Sequence, residues 1–210
     1  MPVAAALWLR GDAGLLAAVL AVATLAVLTR ALHLDGLADT ADGLGSRAPA
    51  ESALEIMRRS DIGPFGVLAI GFVLAADIAS VALLSGERWH ACAALAVAAA
   101  TGRLAVVHAA CPGVASARPT GFGALVAGTV RPAWAVVESV AVLGFGASVA
   151  ALCSVDPLRW VGAQVVALLL AYCFRRHTTR RFGGVTGDVF GALVEVATTI
   201  TLVGIALSCS

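Results

Sequence analysis

Six stretches of the chain are apolar for long enough to cross about 30 Å of hydrocarbon as helices: residues 14–33, 65–85, 90–110, 132–153, 158–174 and 189–208. Polar residues gather in the short segments between them, where glycine, aspartate and arginine dominate. A further apolar stretch near 121–130 carries too many glycines to count as a span. No internal repeat and no soluble segment interrupts the pattern. The expected architecture is therefore all-α: a polytopic integral membrane helical bundle of about six transmembrane helices, read as a single domain over residues 1–210.

Composition agrees with that reading. The chain is 60% hydrophobic and only 13% charged, against about 25% charged in ordinary soluble domains. All fourteen basic residues are arginine, and their distribution gives the bundle a direction. Arg47, Arg58, Arg59, Arg118, Arg131, Arg175, Arg176, Arg180 and Arg181 follow the first, third and fifth apolar runs; the opposite side carries Arg10, Arg88 and Arg159. Nine against three places the first set in the cytoplasm. No secretory signal peptide precedes the first run. The five cysteines are scattered without CxxC spacing and read as buried small hydrophobes.

The chemistry sits on the arginine-rich side. "HLDGLADTADGLG", residues 33–45, follows the first apolar run, and on a helix Asp35, Asp39 and Asp42 fall within about 60° of one another. Three carboxylates on one stripe repel each other and call for a positive partner. Hard oxygen ligands of this kind suit Mg²⁺, which takes a few carboxylates, its own waters and substrate phosphates. A helix continuing from a membrane span would end here, and its dipole opposes negative charge at that end. His33 projects from the other side of the same helix and reads as a structural hydrogen-bonding residue.

Two glycine-rich segments share that side. "IMRRSDIGPFG", residues 56–66, has a turn at Gly63 and Gly66 that could offer backbone N–H groups to a ligand, with Arg59 and Ser60 beside it. Pro64 also reads as plain helix-start punctuation. "RRFGGVTGDVFGALVEV", residues 180–196, leads Gly183, Gly184 and Gly187 into the last apolar run, a form suited to phosphate. Thr186 or Asp188 could equally be an ordinary N-cap there. Arg180 and Arg181 adjoin it. Within the apolar runs lie Asp77, Arg103, Glu138 and Glu195, which should face the bundle interior. Arg103 and Glu195 lie toward the arginine-rich side and are candidate substrate contacts; Asp77 and Glu138 read as packing or pairing residues.

These segments, with "ARPTGFG" at 117–123, occur in the order found in the cobalamin synthase family, the adenosylcobinamide-GDP ribazoletransferases, and the chain resembles that family over nearly its whole length. The resemblance implies an integral inner-membrane enzyme with its site facing the cytoplasm. Such an enzyme joins adenosylcobinamide-GDP to α-ribazole, or its 5′-phosphate, and releases GMP with Mg²⁺ as cofactor. It also implies that Asp35, Asp39, Asp42 and Asp188 fill the acidic motif positions, that Gly183, Gly184 and Gly187 form the glycine loop, and that Arg118 is the motif arginine. The expected partners are those two substrates, the lipid bilayer, and a second copy of the chain or other cobamide-pathway enzymes, with no nucleic acid. The sequence departs from the family in two places. The family has a further N-terminal segment of several tens of residues, and it often reads Asp-Ser-Arg where Arg59-Ser60-Asp61 stands here. A CDP-alcohol-type phosphotransferase shares the logic of helix-borne aspartates under a nucleotide diphosphate, but its D-x2-D-G-x2-A-R pattern is not present. A cation transporter could use the four charges inside the spans, yet no inverted repeat or paired broken helices support one.

Overall fold

A computed structural model describes residues 14–86 and 89–209. Arg10 and Arg88, two of the three arginines assigned to the far side, lie outside the described residues. Among the described residues there is no named strand, and nine α-helices follow in order. They are α1 Gly14–Leu28, α2 Leu32–Gly45, α3 Ala50–Ile56, α4 Pro64–Leu83, α5 His90–Ala109, α6 Phe122–Val126, α7 Pro132–Leu152, α8 Pro157–Phe182 and α9 Gly187–Cys209. Five of these are long and apolar enough to cross a membrane, or six spans if the bent pair α1–α2 counts as one. The Gly-rich stretch near 121–130 forms only the five residues of α6.

The first span differs from its sequence reading. The apolar run does not continue into the acidic stripe as one helix; α1 stops at Leu28 and α2 leaves it at 87°. The stop is a C-terminal turn with the two backbone bonds of a Schellman motif, Ala31 N–H to Ala26 O at 2.7 Å and Arg30 N–H to Val27 O at 2.9 Å. It places Arg30 and Ala31 at φ 53° and 55°, which costs a non-glycine residue about 1–2 kcal/mol each. The turn moves the aspartates off the membrane axis. α2 then packs across the first turns of α4 and α9, at the end of the bundle and outside the spanning segments.

The last helix is the pillar of the bundle. It touches α2, α4, α5 and α8, and two-thirds of its most apolar window is buried, against about a fifth for α4, α7 and α8. Small residues let the neighbours approach, as membrane helices require without a hydrophobic drive between them. Gly102 of α5 sits against Val194 and Thr198, Gly204 against Ala163 of α8, and Gly191 against His33 of α2. Two apolar clusters result. One lies at the far end around Trp160, Leu202 and Ile205; the other lies beneath the motif end around Met57, Phe182, Val189, Phe190 and Leu193. Between them buried Gln164 ties α8 to its neighbours, donating to Thr101 Oγ1 at 3.0 Å and to Val142 O at 3.1 Å. The cysteines are less buried than expected: Cys92, Cys111 and Cys153 are half-buried, and Cys173 and Cys209 are exposed.

The two ends of the bundle are distinct. At one, Gly14 meets Ser85, His90 Nε2 bonds Cys153 O at 2.9 Å, and Arg159 donates to Ser208 O at 2.8 Å. At the other, the loops that carry the motifs are sewn together.

Candidate functional site

α2 presents its acids at the motif end. Asp35 is exposed, while Asp39 and Asp42 are half-buried. The three differ in what holds them. Asp42 Oδ2 accepts the Gly63 N–H at 2.7 Å and its Oδ1 accepts the Gly66 N–H at 3.0 Å. A carboxylate on the free N–H groups of a helix start is stabilising, so Asp42 caps α4 from a different helix. Gly63 and Gly66 are needed for that contact: a Cβ on either would fall about 2.5 Å from an Asp42 oxygen. Their N–H groups therefore bind Asp42 rather than standing open to a ligand. Asp42→Ala should lower stability by about 1–2 kcal/mol through the uncapped α4, read as a drop in unfolding temperature in detergent, with Asp42→Asn recovering part of it.

Asp39 is the most electrostatically loaded of the three. Burial first, and then the charges of Asp188, Asp35 and Asp42, raise its pKa from 3.8 to about 7, with Arg118 pulling the other way. Four carboxylates thus share one small region. Gly36 makes this possible. A Cβ there would lie 2.7 Å from Asp188 O and 3.0 Å from its Cα, so only glycine lets α2 come down onto the start of α9.

Asp188 is held from the other side. Arg118 Nη1 reaches its Oδ2 at 3.4 Å, and Thr186 Oγ1 donates to the same oxygen at 3.2 Å. Both contacts fall on Oδ2, which leaves Oδ1 without a protein partner among the described residues. Arg118 also donates through Nη2 to Leu54 O at 2.8 Å, fixing the guanidinium between α3 and α9. Thr186 accepts the Val189 N–H at 3.2 Å, so it is the N-cap of α9 as well as the donor that orients Asp188.

The glycine loop is built into the fold. Gly183 ends α8 at φ 79°. Val185 pairs with Ser116 as a short parallel bridge, through Ala117 N–H to Val185 O and Val185 N–H to Ala115 O, both 2.9 Å. Gly184 lies so close to the 115–117 backbone that any side chain would collide. That pairing carries Arg118 to Asp188 across seventy residues of sequence. Gly187 opens α9 beside Phe122.

The sequence profile of the cobalamin-5-phosphate synthase family matches residues 1–206. The chain belongs to that family. Among curated relatives named adenosylcobinamide-GDP ribazoletransferase, it is similar to the one from Frankia casuarinae, at 43% identity over 92% of this chain and 72% of the relative. The Corynebacterium efficiens protein of that name is 38% identical over 92% and 70%. The Citrobacter koseri protein is 38% identical over 90% and 74%. No solved structure matches.

In this cobalamin-5-phosphate synthase family member, the sequence candidates fall into four groups. Asp35, Asp39, Asp188, Arg118 and Thr186 come together. Asp42, Gly63, Gly66, Gly183, Gly184 and Gly187 build the walls, and Arg181 joins them by donating to Ala48 O while stacking 5.9 Å over Phe182. Arg59, Ser60 and Arg180 are exposed, and their side chains bond no other described residue. Arg103 and Glu195 stand apart from the acid cluster. Arg103 Nη1 lies 3.0 Å from His33 Nε2, and Glu195 Oε1 lies 3.9 Å from His33 Nδ1. All three line a cavity of about 60 Å³ inside the bundle, with Asp77. His33 thus pins the start of α2 to α5 and α9. Sequence reasoning missed Gly36 and Gly191 as the contact that seats α2; a glycine one residue after Asp35, inside a helical pattern, was the available signal.

Among the described residues, no three of His, Cys, Asp and Glu converge closely enough to hold a metal ion unaided. The donor set still fits a cation that needs few protein ligands. Mg²⁺ takes one or two carboxylates and completes its shell with water and substrate phosphate. The carboxylates of Asp35 and Asp39, one helical turn apart, have no hydrogen-bond partner among the described residues, whereas Asp42 has both oxygens occupied.

Proposed function

We propose that this chain transfers the adenosylcobinamide phosphate group from adenosylcobinamide-GDP to α-ribazole or its 5′-phosphate, releasing GMP, at the cluster formed by Asp35, Asp39, Asp188 and Arg118. Family membership supports the reaction. The observation that supports the location is the seating of α2 on α9 through Gly36, which gathers carboxylates from two distant motifs beside one arginine. The arginine-rich loops at this end favour a site facing the cytoplasm from the inner membrane.

Asp35 and Asp39 are the residues that would hold Mg²⁺. Bound there, the ion would neutralise diphosphate charge and stabilise the departing GMP. The protein's own part is orientation and proton transfer. Asp188 Oδ1 is free to accept the proton of the attacking ribose hydroxyl, while Arg118 and Thr186 fix its other oxygen. The new bond joins the ribose oxygen to the cobinamide-linked phosphorus, and the bond from that phosphorus to the GMP oxygen breaks. Arg118, braced by Leu54 O, keeps Asp188 aimed and offsets part of the acid charge. Arg180, exposed beside the loop, is available to the substrate phosphates.

Arg118→Lys tests the bracing. A lysine has one compact ammonium and cannot serve Asp188 and Leu54 O in fixed geometry, so turnover should fall about 10²-fold, the scale expected of a misplacement near 1 Å. The decisive assay of the activity uses purified protein with adenosylcobinamide-GDP, α-ribazole and Mg²⁺. GMP and a complete cobamide should appear together. Inhibition by CDP-alcohols, with no protection by the GDP-linked corrinoid, would instead favour the CDP-alcohol phosphotransferase chemistry.

A further inference from the structure

A second cavity, of about 340 Å³, opens between α5 and α8 on the outer surface of the bundle. Its body is apolar, lined by Ala105, Val165, Leu168 and Leu169, with fully buried Leu193 of α9 at its floor. Its upper end is polar, formed by His108, Tyr172 and Arg175. Val165 and Leu169 are 39% and 60% exposed, so the groove is open sideways to the hydrocarbon. From Val165 to Arg175 the helix rises about 15 Å, half of a hydrocarbon core of about 30 Å. The groove is therefore one leaflet long, apolar along its length and cationic where that leaflet ends.

We propose that this groove is a binding site for one anionic phospholipid of the leaflet on the motif side. An acyl chain lies along Val165, Leu168 and Leu169, and the headgroup phosphate meets Arg175. The guanidinium is set for that contact, since its Cζ stands 4.9 Å over the Tyr172 ring, a stacking that leaves the edge N–H groups free. Charge complementarity selects a net-negative headgroup. No carboxylate lines the groove, α8 contains none anywhere, and Arg176 and Arg180 continue the positive surface just beyond. Basic pockets between transmembrane helices on the arginine-rich side are suited to such lipids. Arg175 has no part in the transfer site described above, so this proposal stands apart from that reading.

Native mass spectrometry of the full-length chain in mild detergent tests it, with equimolar phosphatidylglycerol and phosphatidylethanolamine as probes. The wild type should retain one phosphatidylglycerol in preference to phosphatidylethanolamine. Arg175→Gln should cut that retention about fivefold, the equivalent of ~1 kcal/mol for one arginine at an anionic surface. Val165→Trp, which fills the groove and leaves the charge in place, should also cut it, whereas Arg176→Gln should not. Equal loss in Arg175→Gln and Arg176→Gln would reduce the effect to general surface charge and overturn the site. Equal retention of the two lipids by the wild type, retention unchanged in Val165→Trp, or displacement by millimolar inorganic phosphate would overturn it too.

Discussion

Asp39→Asn should abolish GMP release, by about 10³-fold or more, in protein that inserts normally and is no less stable than wild type. The size follows from losing one of the two carboxylates that would hold the cation needed to offset phosphoryl charge. The unusual half of the expectation concerns stability. The fold raises the Asp39 pKa from 3.8 to about 7 through burial and three neighbouring carboxylates, so the folded protein prefers the protonated form. Stability contributed by this group is greatest below the ordinary value and is lost as pH rises through about 7. Asparagine carries no such cost. In EDTA at pH 8 the variant should melt at or above the wild-type temperature, and below pH 4 any advantage should vanish. A variant that loses activity only because it unfolds would show the opposite order of melting temperatures.

Gly36→Ala should be nearly as damaging by a different route. The new methyl carbon would sit 2.7 Å from Asp188 O and 3.2 Å from its carbonyl carbon. Both belong to the backbone of α9, the most buried helix of the bundle, so α2 must move instead. Overpacking of this kind costs about 1–3 kcal/mol. A shift near 1 Å between Asp39 and Asp188 should lower turnover about 10²-fold. Steady-state kinetics alongside thermal unfolding separates this outcome from that of Asp39→Asn: both stability and turnover fall in Gly36→Ala, and only turnover falls in the asparagine variant. Gly36→Ala with wild-type kinetics would mean that the seating of α2 on α9 does not position the site.

Much of this was visible in the order of residues. Apolar run length gave the number of long helices to within one, because a bilayer leaves no other way to satisfy the backbone. The two acidic motifs could be read as one site because arginine placement put them at the same end of the bundle. The break after Leu28 was not legible. It depends on left-handed Arg30 and Ala31, residue types that ordinarily continue a helix, and the packing of α2 across α4 and α9 helps to compensate for them. The individual duties of the acids were hidden for a similar reason. Asp35, Asp39 and Asp42 look alike on a helical wheel, but Asp42 faces the start of α4 and is consumed as its cap. Likewise the glycines at 183 and 184 suggested a phosphate cradle, and Gly184 is also needed to let the 115–117 backbone pass. His33, Arg103 and Glu195 lie on three helices, and no local spacing could have linked them.

The central claim is that Asp35 and Asp39 hold a divalent cation at the place where the diphosphate is cleaved. Mn²⁺ binding followed by electron paramagnetic resonance tests it most directly, with adenosylcobinamide-GDP present and Mn²⁺ standing in for Mg²⁺. The wild type should immobilise Mn²⁺ when the nucleotide-linked substrate is present and support GMP release, with both lost on EDTA treatment. The Asp35→Asn, Asp39→Asn double variant should immobilise none. Undiminished Mn²⁺ binding in that double variant, or GMP release by wild type that persists in EDTA, would contradict the account.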